Sequence, residues 1–340
     1  MSKHQTAIST EWKTTGTDIR RDLLKNFALT GVAGYIAPRH LKAIQDTGNQ
    51  LVAALDKHDS VGILDSYFPD CEFFTEYERF DRHLEKLRRE NEGREVHFVS
   101  ICAPNYLHDA HIRTALRVGA DALCEKPLVL NPWNIEALQE LEADTGQRVW
   151  TILQLRVHPA LILLREKIQQ ERRQDKYELQ LTYLTSRGQW YLRSWKGDEE
   201  KSGGLATNIG VHFFDILTWL FGEVQRNEVH VSTPTTCAGY LELEKARVPW
   251  FLSIDINHIP SEIRSKGQRT YRSITLDGEE IEFSGGFTDL HTLVYQKTLA
   301  GEGFGLEEAK TAIQIVHDIR NIEPTGINHN SHPIFQQHRS

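Results

Sequence analysis

Phe27-Ala28-Leu29-Thr30-Gly31-Val32-Ala33-Gly34-Tyr35-Ile36-Ala37 runs from a short apolar stretch, through two glycines, into residues that favour a helix as far as Ile44, with Gly48 beyond it. Strand, glycine turn and helix in that order are the setting a dinucleotide fingerprint requires. The spacing is GxxGxxA (Gly31, Gly34, Ala37), wider at its start than GxGxxG, so the glycines alone also suit an ordinary strand-to-helix turn. Asp56 favours the nucleotide. It closes the next apolar run, Gln50–Leu55, 25 residues after Gly31, close to the ~20-residue spacing at which an acid holds the adenine ribose. A carboxylate there accepts from both ribose hydroxyls and repels a 2′-phosphate, so the expected cofactor is NAD and not NADP.

The alternation continues outward. Glu95–Cys102 reads as a strand, Ala103-Pro104-Asn105 as a turn, and Tyr106–Val118 as a helix. Ala120–Cys124 is the next strand, and Pro127 stops it. Glu125-Lys126-Pro127 therefore places an ammonium at the carboxyl end of a parallel strand, the edge where open α/β sheets bind ligands. Asn131 reads as an N-cap with Pro132 behind it, opening a helix to Thr145, and Arg148–Leu155 is a further strand. Strands separated by helices predict a doubly wound parallel sheet. The charged insert Ser66–Gly93 reads as a solvated face, helical over Arg79–Glu92.

After Arg156 the pattern changes. A helix is expected over Pro159–Glu171, then serial strands at Tyr177–Thr185, Glu228–Ser232, Cys237–Glu244, Trp250–Asn257, Arg269–Leu276 and Glu279–Phe283. These suggest a mostly antiparallel open sheet, one face of it packed on helices and the other a candidate oligomer contact. Helices close the chain at Thr288–Ala300 and Leu306–Ile319. Between the first strand and the rest lies a polar segment, Arg187 to Gly204, rich in Trp, Tyr, cations and glycine. It suits a polar ligand with a planar or sugar ring, and equally a long loop with packed aromatics. His212 follows, four residues after Asn208 and three before Asp215, which puts three polar groups on one helix face. A carboxylate beside an imidazole would fix its tautomer for proton transfer.

The 340 residues, 39% hydrophobic and 25% charged, fit two globular units. The expected division is a polar extension at 1–24, a Rossmann NAD-binding domain at 25–155, and an α+β substrate-binding and oligomerisation domain at 156–340. A net charge of −8 gives no general basic surface for nucleic acid. No apolar run approaches the ~20 residues of a membrane span. Four cysteines without a CxxC pair read as free thiols of a reducing cytoplasm, and no metal site is expected.

Gly31–His40, Ala103-Pro104-Asn105 with His108, Glu125-Lys126-Pro127 and Gly203–Asp215 together resemble the glucose-fructose oxidoreductase, inositol dehydrogenase and rhizopine-catabolism (Gfo/Idh/MocA) family, over about Asn26 to Ile322. Within that family the chain is most similar to the bacterial UDP-N-acetylglucosaminuronate 3-dehydrogenases, on Gly31–His40, Trp195–Gly204 and Asp289-Leu290-His291-Thr292. The resemblance implies NAD-dependent oxidation of the sugar's C3 hydroxyl. An aminotransferase and an acetyltransferase would follow, towards the diacetamido-uronic acids of lipopolysaccharide O-antigen. It implies cofactor contacts at Gly31, Gly34, Tyr35, Ile36, Asp56, Ala103, Asn105, His108, Glu125 and Lys126. Lys126 and His212 would be catalytic, and the chain would form a homotetramer. Asn208 stands where many relatives carry Asp. An amide cannot take a proton, which shifts weight to Lys126 and His212.

Alcohol oxidation requires a base within hydrogen-bond reach of the hydroxyl, worth ~10²–10⁴ in rate; either Lys126 or His212 could serve. Gln154, Arg156, His158, Trp195 and Lys196 are the expected substrate anchors, with Asn208 and His212 beside them. Arg187 and Arg193 are further candidates, since Arg suits diphosphate and carboxylate alike. His291 and Tyr295 either complete the pocket or pack. Reduced cofactor either leaves each cycle or is reoxidised in place by 2-oxoglutarate. Competing readings are a dehydrogenase of another sugar, a nucleotide-sensing regulator, and a hydrolase or lyase that uses NAD transiently.

Overall fold

The computed structural model describes residues 24–90, 93–281 and 289–335. The extension expected at 1–24, but for Leu24, lies outside the described residues, as does the far end of the strand expected at Glu279–Phe283. The first half builds one sheet from β1 (Asn26–Thr30), β2 (Gln50–Leu55), β3 (Glu72–Phe74), β4 (Phe98–Ile101), β5 (Asp121–Cys124) and β6 (Val149–Thr151). Its order is β3-β2-β1-β4-β5-β6, parallel throughout. The central strands are apolar on both sides because helices cover both faces; every residue of β1 is buried. Phe27 and Leu29 pack with Leu41 and Ile44 of α1 (Ala37–Asp46). Ala28, Val99 and Ala122 face the other way, against Phe80 and Leu84 of α2 (Tyr77–Glu90), Ile112 of α3 (His108–Arg117) and Ile135 of α4 (Pro132–Thr145). Burying each such large side chain contributes about 1.5–3 kcal/mol. Strand order reverses between β1 and β4, which opens a crevice above their carboxyl ends.

Three local expectations need correction. β3 lies inside the charged insert, too short to show a period, and exists because Ala53–Leu55 offer it an edge to pair with. The run Arg148–Leu155 gives strand only as far as Thr151. The Thr151 N–H bonds across to Phe304, and the chain then winds into a 3-10 turn, Gln154–Val157. Asn131 stands at the N-cap of α4, but its Oδ1 accepts from Arg320 Nη2 at 2.6 Å and caps nothing.

The second half runs through α5 (Pro159–Gln170), β7 (Tyr177–Thr185), α6 (Val211–Phe221), β8 (Val224–Ser232), β9 (Thr236–Leu243), β10 (Ala246–Ser253), β11 (Thr270–Leu276) and β12 (Glu279–Glu280). The second sheet has the order β12-β11-β7-β10-β9-β8. It is antiparallel except for the β7–β10 pair. Its inner face packs Leu241 and Trp250 against Phe214 and Leu217 of α6. The outer face, the expected oligomer contact, carries part of the chain's own tail. Ile334 and Phe335 lie on Leu184 and Phe251, and Ser331 and His332 bond to His230 and Thr182, each at 3.0 Å.

The chain then returns to the first sheet. In α7 (Leu290–Leu299), Tyr295 stacks on Phe27 and bonds the Ser100 hydroxyl. α8 (Leu306–Asn321) packs along α6 and α4. Residues far down the sequence therefore finish the layer that carries the crevice.

Candidate active site

The crevice begins at the turn after β1. Gly31 has φ +82°, and a Cβ there would stand 2.6 Å from the Cys102 carbonyl carbon and oxygen; no L side chain fits. A Cβ on Gly34 would stand 2.9 Å from the Gly31 oxygen. The two glycines thus seat the turn against the loop after β4. Asp56 Oδ2 accepts from the Ala33 N–H at 3.0 Å and Oδ1 from the His58 N–H at 2.9 Å, with carboxylate lone pairs left over for a diol. Tyr35 is 93% exposed, and Ile36 leads into α1, whose first amides suit an anion. Open turn, helix start and acid together fit a dinucleotide.

Glu125-Lys126 sits beyond β5, and the Lys126–Pro127 bond is cis. Lys126 is half-buried. Glu125 is buried; its Oε1 accepts from His40 Nε2 at 3.1 Å and from His291 Nε2 at 2.9 Å, and its Oε2 from the Lys126 N–H at 3.1 Å. Burial alone would raise this carboxyl, but hydrogen bonds from His291 and His40 outweigh it and hold the carboxyl well below its ordinary range. His108 is buried with its ring nitrogens 2.8 Å from the carbonyls of Pro127 and Ala103, so it braces those two loops from behind. Asn105 reaches across to the Ser202 carbonyl at 2.9 Å. Both were expected on the cofactor, and their side chains are engaged within the protein.

The opposite wall is the segment from Gly188 to α6. Gly203 and Gly204, at φ +79° and +81°, turn the chain into a π-helical stretch, Ala206–Gly210. A π turn disrupts the α spacing on which the polar face was expected. Asn208 Nδ2 donates to the Tyr191 hydroxyl at 2.5 Å. Asp215 is buried against Arg156, through Nη2–Oδ1 at 2.6 Å and Nε–Oδ2 at 3.1 Å, and Arg156 also donates to the Glu308 carbonyl. Asp215 therefore does not orient His212, which corrects the expected Asn208–His212–Asp215 face. The reason is that a largely enclosed guanidinium needs a bidentate partner more than a neutral imidazole does.

His212 is half-buried, and its Nδ1 is shielded from solvent without a hydrogen-bond partner. Burial, then the positive charges of Lys126 and Arg272, hold its pKa well below the ordinary value, with Glu125 opposing. The imidazole is neutral and ready to accept. Lys196 lies over the Trp195 ring at 4.0 Å; burial, Lys126 and Arg187 lower its pKa to about 8. Gln154 Oε1 is buried without a partner, and His158 is buried. Arg187 and Arg193 are exposed.

Arg272 and Tyr183 carry no signal of the site in the sequence, whereas Tyr191 lies in the polar segment expected to hold a ligand. Arg272 lies 5.5 Å over the Tyr183 ring and 5.9 Å from that of Phe213, and Tyr183 meets His212 edge-on. Only the register of β11 on β7, Arg272 opposite Tyr183, brings this cation to the site, and no local pattern announces it. His291 and Tyr295 prove to be interior partners of Glu125 and His40.

Two models of the Gfo/Idh/MocA group match the chain: "Oxidoreductase family, NAD-binding Rossmann fold" over residues 25–153, and "Oxidoreductase family, C-terminal alpha/beta domain" over residues 175–270. Among solved structures, the WlbA (WbpB) dehydrogenase of Thermus thermophilus with NAD and alpha-ketoglutarate is 59% identical. That match covers 91% of this chain and 99% of that one, with TM-score 0.87. The Thermus thermophilus WlbA (WbpB) dehydrogenase with NAD and UDP-GlcNAcA is 58% identical, covering 91% and 98%, with TM-score 0.86. The D-glucoside 3-dehydrogenase of Escherichia coli (strain K12) is 25% identical over 158 residues, 44% of each chain. The chain spans about half the length of the curated relatives it matches.

Proposed function

The chain belongs to the Gfo/Idh/MocA oxidoreductase family, and from that premise we propose that it oxidises the C3 hydroxyl of UDP-N-acetyl-D-glucosaminuronate to the 3-keto sugar with NAD. The observation that carries this reading is the 58% identity, over nearly the whole of that chain, to a dehydrogenase crystallised with NAD and UDP-GlcNAcA. The cationic character of the site agrees with it. Lys126, Lys196, Arg187 and Arg272 converge electrostatically around His212 and its approach, as an acidic sugar nucleotide requires.

Residues 25–155 hold the dinucleotide in this reading, and residues 156–340 hold the sugar nucleotide and the oligomer contact. Asp56 takes the adenine ribose hydroxyls, and the turn Gly31, Gly34, Tyr35 and Ile36 takes the pyrophosphate. Ala103 and Lys126 border the nicotinamide. When bound, NAD supplies the hydride acceptor. Lys126 donates to the C3 hydroxyl oxygen and stabilises its developing negative charge. His212, held neutral, accepts the hydroxyl proton as the C3–H bond breaks. Asn208, fixed by Tyr191, orients the sugar and takes no proton. Gln154, His158, Trp195 and Lys196 line the substrate side. Arg156, locked to Asp215, shapes that wall from behind.

2-Oxoglutarate is the proposed reoxidant, on the strength of the alpha-ketoglutarate in the Thermus thermophilus complex. The proposal further places the protein in the cytoplasm as a homotetramer, feeding O-antigen synthesis. The free state of all four cysteines fits a reducing compartment. The test is to incubate purified protein with UDP-N-acetylglucosaminuronate and NAD, with and without 2-oxoglutarate. A sugar two hydrogens lighter supports the reading. An unchanged sugar in both mixtures, with NAD shown to bind, rejects this substrate.

A further inference from the structure

His40, Glu125 and His291 come from α1, the end of β5 and α7, and they meet in the interior next to Lys126. The Glu125 carboxylate takes three N–H groups, from His40, His291 and the Lys126 main chain. His40 Nδ1 continues to the Tyr295 hydroxyl at 2.8 Å, and that hydroxyl to Ser100 Oγ at 2.6 Å. All five side chains are buried, and none has a role in the proton transfer described above. A buried carboxylate is retained only when its surroundings satisfy it fully, and here two elements far apart in sequence are committed to doing so.

We infer, building on the dehydrogenase reading above, that the His40–Glu125–His291 clamp is a positioning unit for the reaction. It fixes the main chain that carries Lys126. It also keeps a buried carboxylate next to the Lys126 main chain and within electrostatic reach of His212. The groups facing the carboxylate are His40 from α1, His291 and Tyr295 from α7, His108 from α3, the thiols of Cys102 and Cys124, Lys126 and His212. Those facing His212 are Lys126, Arg272 from β11, Glu125, and the rings of Tyr183 and Phe213. Glu125 is the member of this set that favours the protonated imidazole. The ligand atoms of His40, Glu125 and His291 also lie within 4.8 Å of one another. Their 2.9 and 3.1 Å separations are those of direct N–H···O bonds, which fill the carboxylate without an ion.

The test is a set of three variants. Glu125→Gln should lower kcat by up to ~10²-fold through misplacement of Lys126, leave KM for the sugar nucleotide nearly unchanged, and move the acid limb of the kcat–pH profile to lower pH. With its main-chain anchor weakened, the half-buried Lys126 should become more accessible and react with acetic anhydride several-fold faster than in the parent enzyme, read by peptide mass spectrometry against Lys42 on the surface. His291→Gln keeps an N–H donor towards Glu125 and should retain most of kcat; His291→Leu should lose roughly tenfold. The Lys126 labelling needs no substrate, so it reads the clamp even if the proposed sugar is not turned over. A Glu125→Gln protein that melts lower but keeps the parental pH profile and Lys126 reactivity would reduce the clamp to packing and overturn the inference. So would equal activity of the Gln and Leu variants at 291, or a stoichiometric divalent metal in the purified enzyme that His291→Leu loses.

Discussion

The turn Gly31–Ile36 and the segment Gly203–Asp215 both use glycines at positive φ, and both border the same crevice, yet they are held in different ways. The first is fixed by its own backbone. Gly31 lies against Cys102 and Ala103, its N–H reaches Leu55, and Asp56 closes on Ala33. The second is fixed by partners far along the chain: Tyr191 for Asn208, Arg156 for Asp215, and Tyr183 and Arg272 around His212. Local backbone demands leave a signature in the sequence, since only glycine meets them. Long-range polar pairing leaves none, because any acid in the apolar helix α6 could have served either the imidazole or the guanidinium.

That difference can be broken experimentally, beginning where the two regions meet. Lys126→Ala should cost ~10²–10⁴ in kcat while calorimetry still shows NAD binding; loss of NAD binding as well would tie Lys126 to the first region instead. Asp215→Ala should destabilise the fold by roughly 3–5 kcal/mol in denaturant melts, because it strands the largely enclosed Arg156 guanidinium. A much smaller loss, with kcat reduced, would restore Asp215 as a partner of His212. Gly31→Ala should cost roughly 1–3 kcal/mol and weaken NAD binding, since both φ and space forbid the methyl; intact NAD affinity would show that the turn does not hold the dinucleotide. The smallest effect is a pH dependence. Lys196 is cationic below about 8 and neutral above it, so KM for the acidic substrate should rise as pH passes through that value, and a Lys196→Met enzyme should lose the rise.

The parallel sheet was legible nearly strand by strand. Gln50–Leu55 and Pro132–Thr145 are expected at the bounds the structure gives, because buried parallel strands are continuous apolar runs and proline marks helix starts; in the second sheet Tyr177–Thr185 is also expected at its observed bounds, its first residues alternating in burial. β3 was hidden because three residues at a sheet edge carry no period. In the candidate site, Gly31, Gly34, Asp56, Lys126 and His212 are marked in the sequence as strand ends, turns and helix positions, and the structure places them at such positions. Arg156 is expected as a substrate anchor from its place after the sixth strand and its capacity for bidentate bonds, neither of which identifies the Asp215 it pairs with. Arg272 gained its place only through the pairing of β11 with β7. The clamp at Glu125 needed α7 to return across the first sheet, a path that no local pattern specifies.

The most direct test of the proposed reaction uses UDP-N-acetylglucosaminuronate deuterated at C3, with NAD and 2-oxoglutarate, and follows the label by mass spectrometry. The account predicts that the sugar loses the deuterium together with one hydroxyl hydrogen, and that the label is recovered in reduced cofactor or in 2-hydroxyglutarate. A product that keeps deuterium at C3, or a label released to water, would contradict hydride removal from that carbon.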